Sequence, residues 1–111
     1  MAGKKTRIMY VECKSSNSDP GRARICRVSF SNSGRTIYYG GLKLQRSTQT
    51  VCGGNVVDIS SGQEYWVSGP KKNGHDRHWA VGGVVRVDSD VVDKYWRDIR
   101  GRRVPDDPFT T

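Results

Sequence analysis

Two histidines and an aspartate, His75, Asp76 and His78, share one short stretch with the cations Lys71, Lys72 and Arg77. Two imidazoles can serve as general acid and general base, and neighbouring cations can neutralise charge building up on a phosphorus centre. Those are the parts of a metal-independent ribonuclease. Geometry weighs against it: acid and base must approach opposite sides of one phosphate, and histidines three positions apart do so only where the loop folds back on itself. No Ser or Cys carries a readable triad, and Asp88, Asp90 and Asp93 suit the start of a helix better than a metal site. Cys13, Cys26 and Cys52 lack any C-x-x-C pairing and read as small apolar side chains in a reducing compartment. Neither a metal nor a cofactor is expected.

Binding uses more of the same residues. The basic turn follows the strand-like run Tyr65-Trp66-Val67 and is broken open by Gly69-Pro70, so its charges sit on a loop held by aromatic anchors. Aromatic faces beside cations stack bases and hold a phosphate backbone. Each strand has one face for the core; Tyr39 and Trp66 fall opposite Tyr38 and Tyr65 and are the expected outward platforms. The predicted polyanion site is therefore Tyr39, Trp66, Lys71, Lys72, His75 and Arg77. The same exposed groups would also serve as hot spots for a protein partner, as in a small subunit or a neutraliser of an acidic protein.

The elements that must position them are short. Arg7 to Lys14 alternates, with Met9, Val11 and Cys13 on one face. Arg24 to Phe30 sets Cys26, Val28 and Phe30 together. Thr36 to Leu44 does so for Tyr38, Leu42 and Leu44. The connecting Ser31-Asn32-Ser33-Gly34-Arg35 reads as a hairpin loop with Gly34 at positive φ. A second hairpin joins Val56 to Ile59 with Glu64 to Ser68, placing Val57 and Ile59 beside Tyr65 and Val67. Gly-Gly pairs at 40–41, 53–54 and 82–83 read as bulges or bends that let a small sheet curl, and none has the context of a nucleotide-binding fingerprint. After a short strand from Val84 to Val87 the period changes: Val91, Val92, Tyr95, Trp96 and Ile99 predict one amphipathic helix, capped by Asp90 and stopped by Gly101. Its apolar stripe is expected against the sheet and its Lys94, Arg97 and Asp98 in solvent.

At 111 residues the chain suits one domain with a lean core, since hydrophobic residues make up 34% while Gly reaches 13. We expect a domain over residues 1–103 and an extended or disordered tail over 104–111. The net charge of +8, from 19 Lys and Arg against 11 Asp and Glu, draws in polyanions. The run Ile8 to Val11 is too short for a signal-peptide core and nothing is long enough to span a bilayer, so a cytoplasmic location with no membrane partner is expected.

Four segments carry a resemblance: KKTRIMYVE from Lys4, SGRTIYY from Ser33, EYWVSGPKKNGHDR from Glu64 and YWRDIRG from Tyr95. Across nearly the whole chain these resemble a family of small uncharacterised bacterial proteins, some of which carry the name 1-deoxy-D-xylulose-5-phosphate synthase. Such synthases resemble transketolases, are several times longer and need a thiamine-diphosphate domain for which this chain has no room. The resemblance implies no catalytic residue, and its Gly-Pro-Lys-Lys turn does not require the histidines. The expectation is a non-enzymatic α+β domain: a strongly bent antiparallel sheet or partly open small barrel of five to six strands with one C-terminal helix, binding RNA or another polyanion.

Overall fold

The computed structural model describes residues 5–14, 23–73 and 85–111. Six strands form a closed antiparallel barrel in chain order: β1 (Lys5–Cys13), β2 (Ala23–Phe30), β3 (Thr36–Tyr39), β4 (Leu42–Arg46), β5 (Val56–Asp58) and β6 (Glu64–Ser68). Closure comes from β1. It pairs with β2 from Lys5↔Phe30 to Glu12↔Ala23, but with β6 only from Tyr10↔Ser68 to Cys13↔Tyr65. The first half of β1 therefore runs on beyond β6, paired with β2 alone.

The other edge of β2 is divided. Its C-terminal end pairs with β3 and its N-terminal end takes a seventh, parallel strand, β7 (Val85–Val87). A helical segment follows, built from a 3-10 turn (Ser89–Val91), an α-turn (Val92–Lys94) and a π-turn (Tyr95–Ile99). It starts two residues earlier than the sequence predicts: Asp88, not Asp90, occupies the N-cap, and its carboxylate accepts from Arg24 at 3.1 Å. Gly101, at φ 64°, ends it, and Arg102 N–H closes onto the Trp96 carbonyl at 3.0 Å.

Residues 104–111, expected to be extended or disordered, dock on β7. Val87 N–H donates to the Phe109 carbonyl and Thr111 N–H to the Val85 carbonyl, around the bridge Arg86↔Thr110. Trp96 Nε1 donates to the Pro108 carbonyl at 2.8 Å and so ties helix to tail.

A lean sequence buries enough surface by using both sides of one wall. Inside the barrel lie Val11, Cys26, Val28, Ile37, Leu44, Val56 and Val67. On the outer face, Tyr10, Ala23 and Ile25 pack against Val85, Val87, Val91, Tyr95 and Trp96, so the helix covers the sheet as expected.

Two face assignments are corrected. Gly40 and Gly41, both at positive φ (54° and 84°), form a two-residue hairpin turn, the sharper of the expected bends, and split the expected Thr36-to-Leu44 strand into β3 and β4. That turn sets Tyr39 opposite Leu42 and Ile37 opposite Leu44, so Ile37 and Tyr39 face inward and Tyr38 outward. Likewise Val56 and Asp58, not Val57 and Ile59, share the side of Tyr65, because Val56 pairs with Tyr65. Among the described residues no helix is long and apolar enough to cross a membrane.

A basic groove as the candidate polyanion interface

The paired strands β1 and β2, the turn leaving β6 and the C-terminal helix enclose a groove of about 470 Å³. β1 supplies Thr6, Arg7 and Ile8; β2 supplies Arg27, the cross-strand partner of Ile8. Pro70 and Lys72 come from the turn. The helix contributes Lys94, Asp98 and Ile99, its four-residue spacing putting Lys94 and Asp98 on one side. The cationic rim thus surrounds an apolar floor of Ile8, Pro70 and Ile99. Among the described residues, Arg7, Lys72 and Lys94 form no ion pair and Asp98 accepts no hydrogen bond. Arg27 reaches Asp90 at 3.6 Å in a solvent-exposed pair, which holds it weakly. Among the described residues, four positive charges against one carboxylate leave the lining of the groove net positive.

A second cleft, of about 270 Å³, opens at the β2–β3 turn and is also basic, with Lys5, Arg7 and Arg46 beside Phe30 and the Ser31-to-Gly34 turn. Arg7 lines both.

The predicted site residues are only partly assembled. Lys72 lines the groove and Lys71 is exposed on the same turn. Trp66 is half-buried on the outer core and is not a free stacking platform. Tyr39 is corrected outright: it lies with the barrel interior, its ring edge-on to Tyr65 at 6.5 Å, because of the hairpin turn that reverses the faces. His75 and Arg77, with Asp76, His78 and Trp79, lie outside the described residues. Sequence reasoning missed Arg7, Arg27 and Lys94. The outward position of Arg27 between Ile25 and Ser29 was a readable signal, but its meeting with Lys72 and Lys94 depends on register.

Other polar clusters are satisfied internally. Glu12, 1% exposed, accepts from the Tyr10 hydroxyl and from Lys14 Nζ at 2.5 Å, and the Lys14 side chain is itself 2% exposed. This is a buried brace on the outer face of β1, closed to substrate. Glu64 fills a nest of backbone N–H groups: Val51 and Cys52 donate at 2.7 and 2.9 Å and Gly54 at 3.1 Å. Burial works to raise this carboxyl, but the N–H groups of Val51, Gly54 and Cys52 outweigh it and hold its pKa below the usual range. The loop can approach only because residue 54 is Gly, where a Cβ would lie 2.8 Å from both the Glu64 Cβ and the Tyr65 carbonyl oxygen. The Ser61 hydroxyl and Ser60 N–H similarly lower Asp58.

The cysteines are all free. Burial, with Asp88 and Asp90 against a lesser pull from Arg24, pushes the Cys26 thiol up to about 12 and makes it a poor nucleophile. Burial and the neighbouring Cys13 raise the Tyr65 phenol to about 12. Among the described residues no three His, Cys, Asp or Glu converge on a metal position. No family model, curated protein or solved structure matches this chain.

Proposed function

We propose that this protein is a non-enzymatic binding module for RNA, acting in the cytoplasm and holding the phosphate backbone in the basic groove. The observation that supports this reading best is the convergence of Arg7, Lys72 and Lys94, none ion-paired among the described residues, on one groove. Phosphates supply the missing counter-charge and displaced counterions supply much of the driving force. The apolar floor of Ile8, Pro70 and Ile99 suits the flat faces of sugar and base. The family resemblance adds no activity to this reading.

Lys72→Ala with Lys94→Ala tests it. The double variant should bind RNA more weakly, and its slope of log affinity against log salt should flatten by about 1.4, from roughly 0.7 per lost phosphate contact on a single strand. RNA binding undetectable at low salt, or unchanged after both lysines are removed, overturns the reading and puts an acidic protein partner first.

A further inference from the structure

We infer that the groove and the second cleft are two halves of one track, and that its ligand is a single RNA strand long enough to turn round the edge of β1 at Arg7. This rests on the groove reading above and names the form of RNA bound. Thr6, Ile8 and Arg27 line the groove on the outer face of the β1–β2 pair, where Ile8 packs against the outer core. Lys5 and its partner Phe30 line the second cleft on the opposite face, where Phe30 packs against the barrel interior. Arg7 belongs by alternation to the face of Lys5, yet it lines both clefts.

Such reach is possible because β6 pairs with β1 only from Tyr10 onward, which leaves the edge beside Arg7 outside the β6 ladder. Lys5 and Arg7, two residues apart on one strand face, stand about 6.6 Å apart along it. That is of the order of the step between phosphates in an extended strand. Lys5 and Arg7 form no ion pair among the described residues, and the Arg46 side chain makes one bond in the turn among them, from Nε to the Gly34 carbonyl at 3.3 Å. A path from one face to the other round the β1 edge, which is outside the β6 ladder beside Arg7 among the described residues, suits a flexible strand. A duplex is far stiffer, DNA's persistence length being about 150 base pairs, and does not make that turn.

The test uses fluorescence anisotropy at low salt with labelled oligouridylates of about 4, 8 and 16 nucleotides, the range of single-strand site sizes on small barrels, and with an RNA hairpin duplex. The longest strand should bind roughly a hundredfold tighter than the shortest, as linked subsites give and well beyond the gain from extra binding registers. Lys5→Ala with Arg46→Ala should reduce that step to the register count. Lys5→Ala alone, which touches no hydrogen bond of the turn among the described residues, should remove part of the step. A length step no larger than the register count, no effect of these variants on the longest strand, or a duplex bound as tightly as that strand each overturns the inference. If short strands still bind through Lys72 and Lys94, the groove reading survives that failure; if no RNA binds at all, both fall.

Discussion

Replacing Glu64 by Ala removes the anchor of the 51–54 loop, and the cost follows from its three bonds. Val51, Cys52 and Gly54 each donate a backbone N–H to one carboxylate at 2.7 to 3.1 Å. Orphaning a buried donor costs about 1–3 kcal/mol, so three set an upper range of about 3–9 kcal/mol. Val51 is 92% exposed, so water reaches this loop and takes over part of the bonding. We therefore expect about 3 kcal/mol, or a fall in urea midpoint of roughly 1–2 M for an ordinary small-domain slope. Urea denaturation followed by tryptophan fluorescence measures it.

The pH dependence has a fixed sign. The folded pKa of Glu64 is depressed, so its contribution is present above the unfolded value, about 4.3, and is lost as pH falls through the folded pKa. The stability gap between the wild type and Glu64→Gln should hold at neutral pH and narrow as the medium is acidified below about 4. Gly54→Ala forces the same loop away from β6, so the double variant with Glu64→Ala should cost less than the sum. A loss below about 1 kcal/mol, or a gap that widens in acid, would refute this account of the loop.

Trp96→Ala should cost about 3–5 kcal/mol, because its ring packs edge-on to Tyr95 at 5.1 Å, lies under Arg100 at 4.8 Å and anchors the tail at Pro108; an unchanged melting temperature would separate the helix from the core. Glu12→Gln removes the buried counter-charge of Lys14 and should destabilise by about 3–5 kcal/mol, read from the same urea curves. With its thiol raised to about 12 and fully buried, Cys26 should resist iodoacetamide at pH near 8 until urea unfolds the chain, as peptide mass mapping would report. Incubation with RNA should give no turnover; cleavage that resists chelators and vanishes in His75→Ala with His78→Ala would instead establish the ribonuclease alternative.

Alternation and turn chemistry made much of the architecture legible. Met9 with Val11, and Cys26 with Val28 and Phe30, share inward faces as their period-two spacing requires, and Gly34 takes its positive φ of 75°. The apolar spacing of Val91, Tyr95 and Trp96 foretold a helix against the sheet, because a side chain's own periodicity is local information. What crosses a turn was not legible. The two-residue Gly40-Gly41 turn exchanges the faces of Tyr38 and Tyr39, and the Val56↔Tyr65 register puts Asp58 where Ile59 was expected.

The site divides in the same way. Composition alone determined a strongly basic chain, and the Gly-Pro break determined that Lys71 and Lys72 lie on an exposed turn. That Lys72 meets Arg7, Arg27 and Lys94 around one groove was decided by the closure of β1 against β2 and β6 and by the docking of the helix. Those residues lie far apart along the chain, and spacing within any one segment carries no record of which strand edge another segment will reach.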